Sequence, residues 1–384
     1  MRRIIKQLYK KYFIKDDENM VTVTLSKSAL LNNINEFIKI GNGIMISPVL
    51  KSNAYGHGLN EIAEILDINT SPSRVPFFIL DSYFEAKKLR NDDIKRAIMV
   101  IGYTTIKNIV HNKIKDIIFT ISDITVLKEL GEKLNKKTRI NLKLDTGMHR
   151  QGILPNDIEQ AIKIIKENKN IILESISSHF SDAEENKDYT EKQIIEWNKL
   201  VDKIKSEFNT IKYWHISNTA GHNYINKAKC NMTRLGAGLY GIRDGAYVDN
   251  VHIMPVLQLE TIITGMKRIK KGQTVGYGNS FEAKNDMVIA TIPVGYYEGI
   301  DRRLSNKGHV IVHENIVNII GRVSMNITTI DITNIDNAKV GDKVIVISNK
   351  ENDPNSMLNI SKETTLARDL AVNIASHLKR VVID

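Results

Sequence analysis

"PVLKSNAYGHG", residues 48–58, is the stretch on which the reading of this chain turns. An apolar run over 44–50 ends on Lys51 and passes at once into a glycine-flanked loop carrying Asn53, Tyr55 and His57. A short continuous apolar run is the mark of a strand buried on both faces, as in a parallel sheet. In a barrel of parallel strands and helices, residues at the C-terminal ends of strands project toward the active face. A lysine there has two explanations. It can snorkel past the rim to water, or it can be a partly desolvated amine, its pKa brought below the usual ~10.4, that condenses with a carbonyl.

The rest of the chain supplies the barrel. Further strands are expected at 77–80, 97–101, 117–120, 140–144, 173–177, 213–215 and 231–234. Between them run helical patterns. Ile158, Ala161, Ile162 and Ile165 follow a 3.6-residue period, as do Ile194, Trp197, Val201 and Ile204. Ser122 or Asp123 caps the "ITVLKEL" helix. Eight strands, each but the last followed by a helix, predict an N-terminal (β/α)8 TIM-like barrel of the α/β class. Near residue 250 the rhythm changes. "VLQLETIIT", "MVIATIPV", "HVIVHE", "NIVNIIGRV" and "KVIVIS" are short strands between glycines, and one helical stretch falls at about 359–375. The expected division is a basic leader over 1–20 outside the fold, the barrel over 21–252, and a C-terminal mostly-β domain over 253–384.

Composition narrows the function. Of 384 residues, 42% are hydrophobic and 26% charged, which suits a globular chain and is too apolar for disorder. The single Cys230 excludes an intramolecular disulfide and fits a cytoplasmic, reducing compartment. No apolar run approaches the ~18 residues of a membrane span, and lysines interrupt the leader where a signal peptide would be continuous. The net charge of +10 is spread along the chain among acidic residues, with no zinc-ligand spacing, RNA-binding aromatic motif or helix-turn-helix. No nucleic-acid partner is expected.

Polar residues recur where the strands end. Lys143 ends the fifth strand in "LKLDTGMHRQG", with Arg150 seven residues on; His179 follows the sixth; His215, Asn218 and Thr219 follow the seventh; Arg234 ends the eighth. One alone would be a cap or a core histidine, but the set is hard to explain as rim solvation. "RLGAGLYG" holds a G-x-G-x-x-G at Gly236, Gly238 and Gly241. It closes the barrel instead of opening a βαβ unit, so a dinucleotide fingerprint is a poor reading. In barrels of this kind the loops after the last two strands bind phosphate through backbone N–H groups. Thr219, Gly236 and Ala237 stand there. A carbonyl-reactive lysine beside a phosphate cradle specifies pyridoxal 5′-phosphate.

These motifs resemble those of the alanine racemase family. "PVLKSNAYGHG" is similar to its cofactor-lysine motif. "KLDTGMHRQG", "SHFSDAE", "HISNTAG", "TRLGAGLYGI", "VGYGNSF", "IPVGYYEGIDRRLS" and "GRVSMN" follow in the family's order, over roughly residues 21–384. The resemblance implies a PLP-dependent racemase that interconverts L- and D-alanine, for peptidoglycan precursors, by two bases on opposite faces of Cα. Lys51 would bind the cofactor and serve one face; Tyr277 of the partner subunit would serve the other, in a homodimer with shared active sites. A phenol with its usual pKa near ~10 is a poor base, so cations must stand beside it, with Arg150 and His179 as candidates. Arg234 would face the cofactor's ring nitrogen, oriented by His215. Tyr55, Thr219, Gly236 and Ala237 would hold its phosphate. Arg150 and Met325 match substrate-contact positions, Lys143 a lysine carbamylated in many members, and Tyr296 and Arg302 the mouth of the site.

The chain departs from the family at Thr219, where serine is usual, and at Asn326, where aspartate is expected. Its ending "HLKRVVID" sets Lys379 or a neighbour in place of a tyrosine near the phosphate. These differences keep serine or a broader substrate set open. The rival readings are a PLP decarboxylase of the same architecture, which would need a suitably placed cysteine, and a PLP carrier, which would lack the second domain.

Overall fold

The computed structural model describes residues 19–41, 43–243 and 251–384. All but the last two residues of the expected leader, and 244–250 of the connection between domains, lie outside them. Strand β1 (Thr22–Ser26) and helix α1 (Lys27–Ile40) come first, followed by β2 (Met45–Pro48) and α2 (Leu59–Asn69). The alternation continues with β3 (Phe77–Leu80), α3 (Tyr83–Asn91), β4 (Ala97–Val100), α4 (Ile106–Val110), β5 (Ile117–Ile121) and α5 (Ile124–Lys133). It ends with β6 (Thr138–Lys143), α6 (Ile158–Glu167), β7 (Ile171–Ser177), α7 (Lys187–Glu207), β8 (Tyr213–His215) and β9 (Met232–Leu235).

Strands β3 to β8 form one parallel sheet in sequence order, and β2 pairs β9 in parallel. Two seams close the ring. On one side Leu50 N–H donates to the Ile79 carbonyl at 2.8 Å; on the other, Asn231 and Arg234 N–H donate to the Trp214 and Ser217 carbonyls at 3.0 and 3.1 Å. All residues of β3 and β5 are buried, as expected of strands covered on both faces. Val49, Phe77, Ile79, Met99, Ile118 and Met232 pack together as an apolar plug. At the C-terminal end of the strands the lining turns polar. Asn141 Nδ2 donates to Thr120 Oγ1 (3.1 Å) and Ser177 Oγ (2.8 Å).

The helical stripes of α6 and α7 are buried at the residues their periodicity picked out. Asp123, of the two candidate caps, accepts from Thr125 and Val126 N–H. One expected helix is absent: β8 is followed by a short 3-10 turn, Ala220–Tyr224. There Gly221 lies so close to the Phe180 ring that a Cβ would fall 2.6 Å from it, and Asn218 Oδ1 ties the Gly221 N–H at 2.7 Å. Helix α1, which precedes β2, packs beside the β9 loop instead, and Asn33 donates to the Leu239 and Met254 carbonyls.

The second domain contains β10 (Leu257–Ile262), β11 (Gly265–Ile269), β12 (Thr274–Val275), β13 (Phe281–Glu282), β14 (Met287–Ile292) and β15 (His309–Val312). Then come β16 (Asn315–Ile320), β17 (Thr328–Asp331), β18 (Lys343–Ile347), α8 (Met357–Glu363), α9 (Ala367–Asn373) and β19 (Lys379–Ile383). Nine strands make its main sheet, in the order β11-β14-β17-β16-β15-β18-β10-β1-β19. The expected boundaries need one correction here. Strand β1, inside the span expected for the barrel, belongs to this sheet, antiparallel to β10 and parallel to β19. Its Val23 and Leu25 are buried and its other leading residues only partly so, the alternation of a strand covered on one face. The helical stretch at 359–375 is two helices, broken where Thr364 leaves helical geometry (φ −133°, ψ −93°).

Candidate active site

A cavity of about 500 Å³ opens at the C-terminal ends of the barrel strands. Lys51, Tyr55, Lys143, Arg150, His179, His215, Thr219, Arg234, Gly236 and Ala237 all line it. The sequence names each of them, most from a place at or just after a strand end, Tyr55 from the loop beside Lys51 and Arg150 from the loop after Lys143.

Lys51 opens a turn where the sequence suggested only a glycine-flanked loop. Ser52, Asn53, Ala54 and Tyr55 all have φ between 53° and 56°, a single left-handed turn. Each non-glycine residue there costs roughly 1–2 kcal/mol, so the surroundings must hold it. Glu85 Oε1 accepts the Ser52 N–H (2.9 Å), and Asn53 Oδ1 accepts the Leu59 N–H (3.0 Å). Arg380 from β19 donates to the Gly56 carbonyl (2.7 Å) and to the Leu378 and Ala375 carbonyls. His57 is buried, and desolvation brings its pKa down to about 4, so the neutral ring donates from Nδ1 to the Tyr55 carbonyl (2.9 Å). The Lys51 side chain is 37% exposed, with Nζ 3.9 Å from Asp81.

The loop after β6 is a tight reversal. Asp145 N–H donates to the Ile153 carbonyl, and Ile153 N–H to that of Lys143. Asp145 Oδ1 accepts the N–H groups of Gly147 (2.9 Å) and His149 (3.1 Å). This brings Arg150 to the cavity. Lys143 is enclosed beside it; burial first, then the charges of Arg234 and Arg150, bring its pKa to about 7.

Arg234 is the hub of the site. Nη1 contacts His215 Nδ1 (2.5 Å) and the His215 carbonyl (3.0 Å). Nη2 contacts His179 Nδ1 (2.8 Å) and the Ser178 carbonyl (2.7 Å). Both histidines therefore present a bare Nδ1 and are neutral. Burial and the Arg234 charge hold both well below the usual imidazole range. This corrects the expectation that His179 supplies a cation: only its Nε2–H is left to face outward. Arg234 Nε–H meets no acceptor among the described residues.

At the other end, Tyr55 stacks on Tyr240 with ring centroids 5.2 Å apart. A Cβ at Gly236 would lie 2.8 Å from the Tyr55 hydroxyl, so any larger residue would push Tyr55 aside. Thr219 Oγ1 accepts the Gly238 N–H (3.3 Å), which leaves its own O–H as a donor. The N–H groups of Gly236 and Ala237 have no acceptor among the described residues.

Tyr277, Met325, Tyr296 and Arg302 do not line this cavity. They lie in the second domain, where Tyr277 is 72% exposed, Met325 56% and Tyr296 44%. Backbone bonds from Tyr296 and Tyr297 N–H to the Ser324 and Met325 carbonyls hold the two loops together, and Arg302 stands over the Tyr296 ring at 6.0 Å. Asn326 Nδ2 donates to Glu298 Oε1 at 2.6 Å, while Glu298 Oε2 accepts the Gly295 N–H. Glu298 is buried, so an aspartate at 326 would face a second carboxylate; this accounts for the departure. Lys379 is exposed at the start of β19 and does not line the cavity. Arg368 of α9 does. Sequence reading missed it, together with Glu85 and Arg380. The only signal for Arg368 was an arginine within the one late helical stretch.

Together, fold and cavity define a barrel enzyme built around an amine-bearing, cationic pocket. Residues 25–244 match the family described as alanine racemase, N-terminal domain, and residues 256–382 match alanine racemase, C-terminal domain. Alanine racemase 1 of Caldanaerobacter subterraneus subsp. tengcongensis is 33% identical over 361 residues, 92% of each chain. Alanine racemase of Clostridium kluyveri is 35% identical over 321 residues, 82% of this chain and 81% of its own. The structure of alanine racemase from Clostridium difficile 630 superposes with a TM-score of 0.87 at 26% identity, covering 96% of this chain and 97% of that one. The chain belongs to the alanine racemase family and is an isomerase.

Proposed function

We propose that the protein interconverts L- and D-alanine with pyridoxal 5′-phosphate, as a cytoplasmic homodimer that supplies D-alanine for peptidoglycan precursors. The observation that carries this reading is the pairing, in one cavity, of Lys51 with a set of anion donors: the Tyr55 and Thr219 hydroxyls and the unpaired Gly236 and Ala237 amides. That set fits an aldehyde bearing a phosphate. Arg234 Nε–H is the remaining guanidinium donor and suits the ring nitrogen. Since arginine cannot act as its acid, it would leave that nitrogen unprotonated. When bound, the cofactor delocalises the electron pair left at Cα.

The chain's own residues do the rest. Lys51 Nζ would hold the cofactor through its aldehyde, and the same amine would take or return a proton on one face of Cα. Tyr277 Oη of the partner subunit serves the other face; its exposure on the second domain supports that reading, since the cavity lacks it within its own chain. Arg150 supplies the positive charge for the substrate carboxylate and for the phenolate, and His179 Nε2–H adds a neutral donor. Lys143, near pKa 7, is half deprotonated at neutral pH and can add CO2 to give a carbamate and a proton; the resulting anion would hold Arg150 in place. Met325 and Tyr296 would close the substrate side.

The test is conversion of L-alanine to D-alanine by purified, cofactor-loaded protein, with Lys51→Ala as control. D-alanine from the wild type alone supports the reading. Turnover of L-serine in preference to alanine would move the substrate, carbon dioxide release would favour decarboxylation, and failure to bind the cofactor would overturn the reading.

A further inference from the structure

We propose that Arg368, carried on α9 of the second domain, is a ligand of the cofactor's phosphate, so that both domains of one chain hold the cofactor. This rests on the functional reading above. Helix α9 sits directly on the lysine turn: a Cβ at Gly56 would fall 1.8 Å from the Ala371 carbonyl oxygen. Arg368 lies three residues before Ala371, and residues so spaced share a helix face. The face that presses on the turn therefore also presents Arg368, and its side chain lines the cavity with Tyr55, Thr219, Gly236 and Ala237.

The cations of the cavity fall into two groups. Arg234, Arg150 and Lys51 are the positive neighbours of Lys143, and the same three with Lys143 surround His179. Arg368 is instead the charge felt at Tyr55, whose hydroxyl overhangs Gly236. The barrel's contribution at that end consists of neutral donors: two hydroxyls and two amides. A phosphate near neutral pH carries between one and two negative charges. A guanidinium bond to it is charge-assisted and roughly twice as strong as a neutral one.

The experiment compares wild type, Arg368→Met and Arg368→Lys as apoproteins, each titrated with pyridoxal 5′-phosphate and with pyridoxal, which has the aldehyde and ring but no phosphate. Bound cofactor is read by its visible absorbance, and inorganic phosphate is tested as a competitor. Arg368→Met should weaken pyridoxal 5′-phosphate by roughly ten- to a hundredfold while leaving pyridoxal within about twofold. Arg368→Lys should recover part of the loss, and phosphate should compete less well in the Met variant. Equal weakening of both aldehydes would overturn the proposal in favour of a scaffold role, and unchanged affinity for both would also overturn it. A wild type that binds neither aldehyde would instead sink the functional reading itself.

Discussion

Arg234 keeps its place through histidines that carry no charge. Replacing it with lysine would leave one point charge to serve His215, His179 and the three carbonyls of Ser178, His215 and Ile216 that a planar fork now satisfies. Lys143 beside it is the titrating member of the cluster. Its pKa of about 7 makes it a nucleophile for CO2 where an ordinary lysine is protonated. Protein equilibrated with 13C-labelled bicarbonate should show a carbamate carbonyl resonance that is lost in Lys143→Met and that fades as pH falls below 7. Its absence in the wild type would remove the carbamate from the mechanism.

At the scale of elements, the left-handed turn 52–55 fixes where Lys51 points. Gly56 ends it at φ +79° with the Ala371 carbonyl against its α-carbon. Gly56→Ala should lower stability by at least about 2 kcal/mol, from the left-handed backbone and the overlap. Urea unfolding checks this through a lower midpoint at unchanged slope. Strands and helices were legible because burial imposes a period, and the strand-end residues were legible because a barrel aims its strand ends at one face. The turn was not: "SNAY" carries no glycine at its positive-φ positions, and contacts distant in sequence hold them there. Arg368 was hidden for the same reason, since the face α9 shows the cavity depends on Gly56, over three hundred residues earlier. Strand β1 was not expected as a strand, and its residues fell inside the barrel's span, because five residues next to a helix show nothing of their distant partners in β10 and β19.

For the whole molecule, two properties follow from what is buried and what is bare. His57 and His222 are brought to about 4, and His179 and His215 lie well below the usual range, all chiefly by desolvation. The unfolded chain binds these protons near pH 6.5 and the folded chain does not. Stability is therefore full above that pH and falls below it, by up to about 1.4 kcal/mol per histidine per pH unit, until the folded values are reached. The thermal midpoint should be flat above neutrality and drop between roughly pH 6.5 and 4; a flat profile there would contradict the neutral-histidine arrangement. If Tyr277 completes the partner's cavity, mixing inactive Lys51→Ala with inactive Tyr277→Phe should restore roughly a quarter of wild-type turnover through dimers that hold one intact site. No recovery after subunit exchange would count against shared sites. Strand β1 has a consequence in time as well. A ribosome makes the chain from the N-terminus, so β1 emerges before the barrel yet lies between β10 and β19. Its parallel partner, Lys379–Ile383, emerges more than three hundred residues later. The barrel can close during synthesis, but its leading strand must wait as an unpaired edge. Chaperone demand should therefore concentrate on that interval, and arrested nascent chains ending before β19 should leave β1 open to proteolysis while protecting β2 to β9.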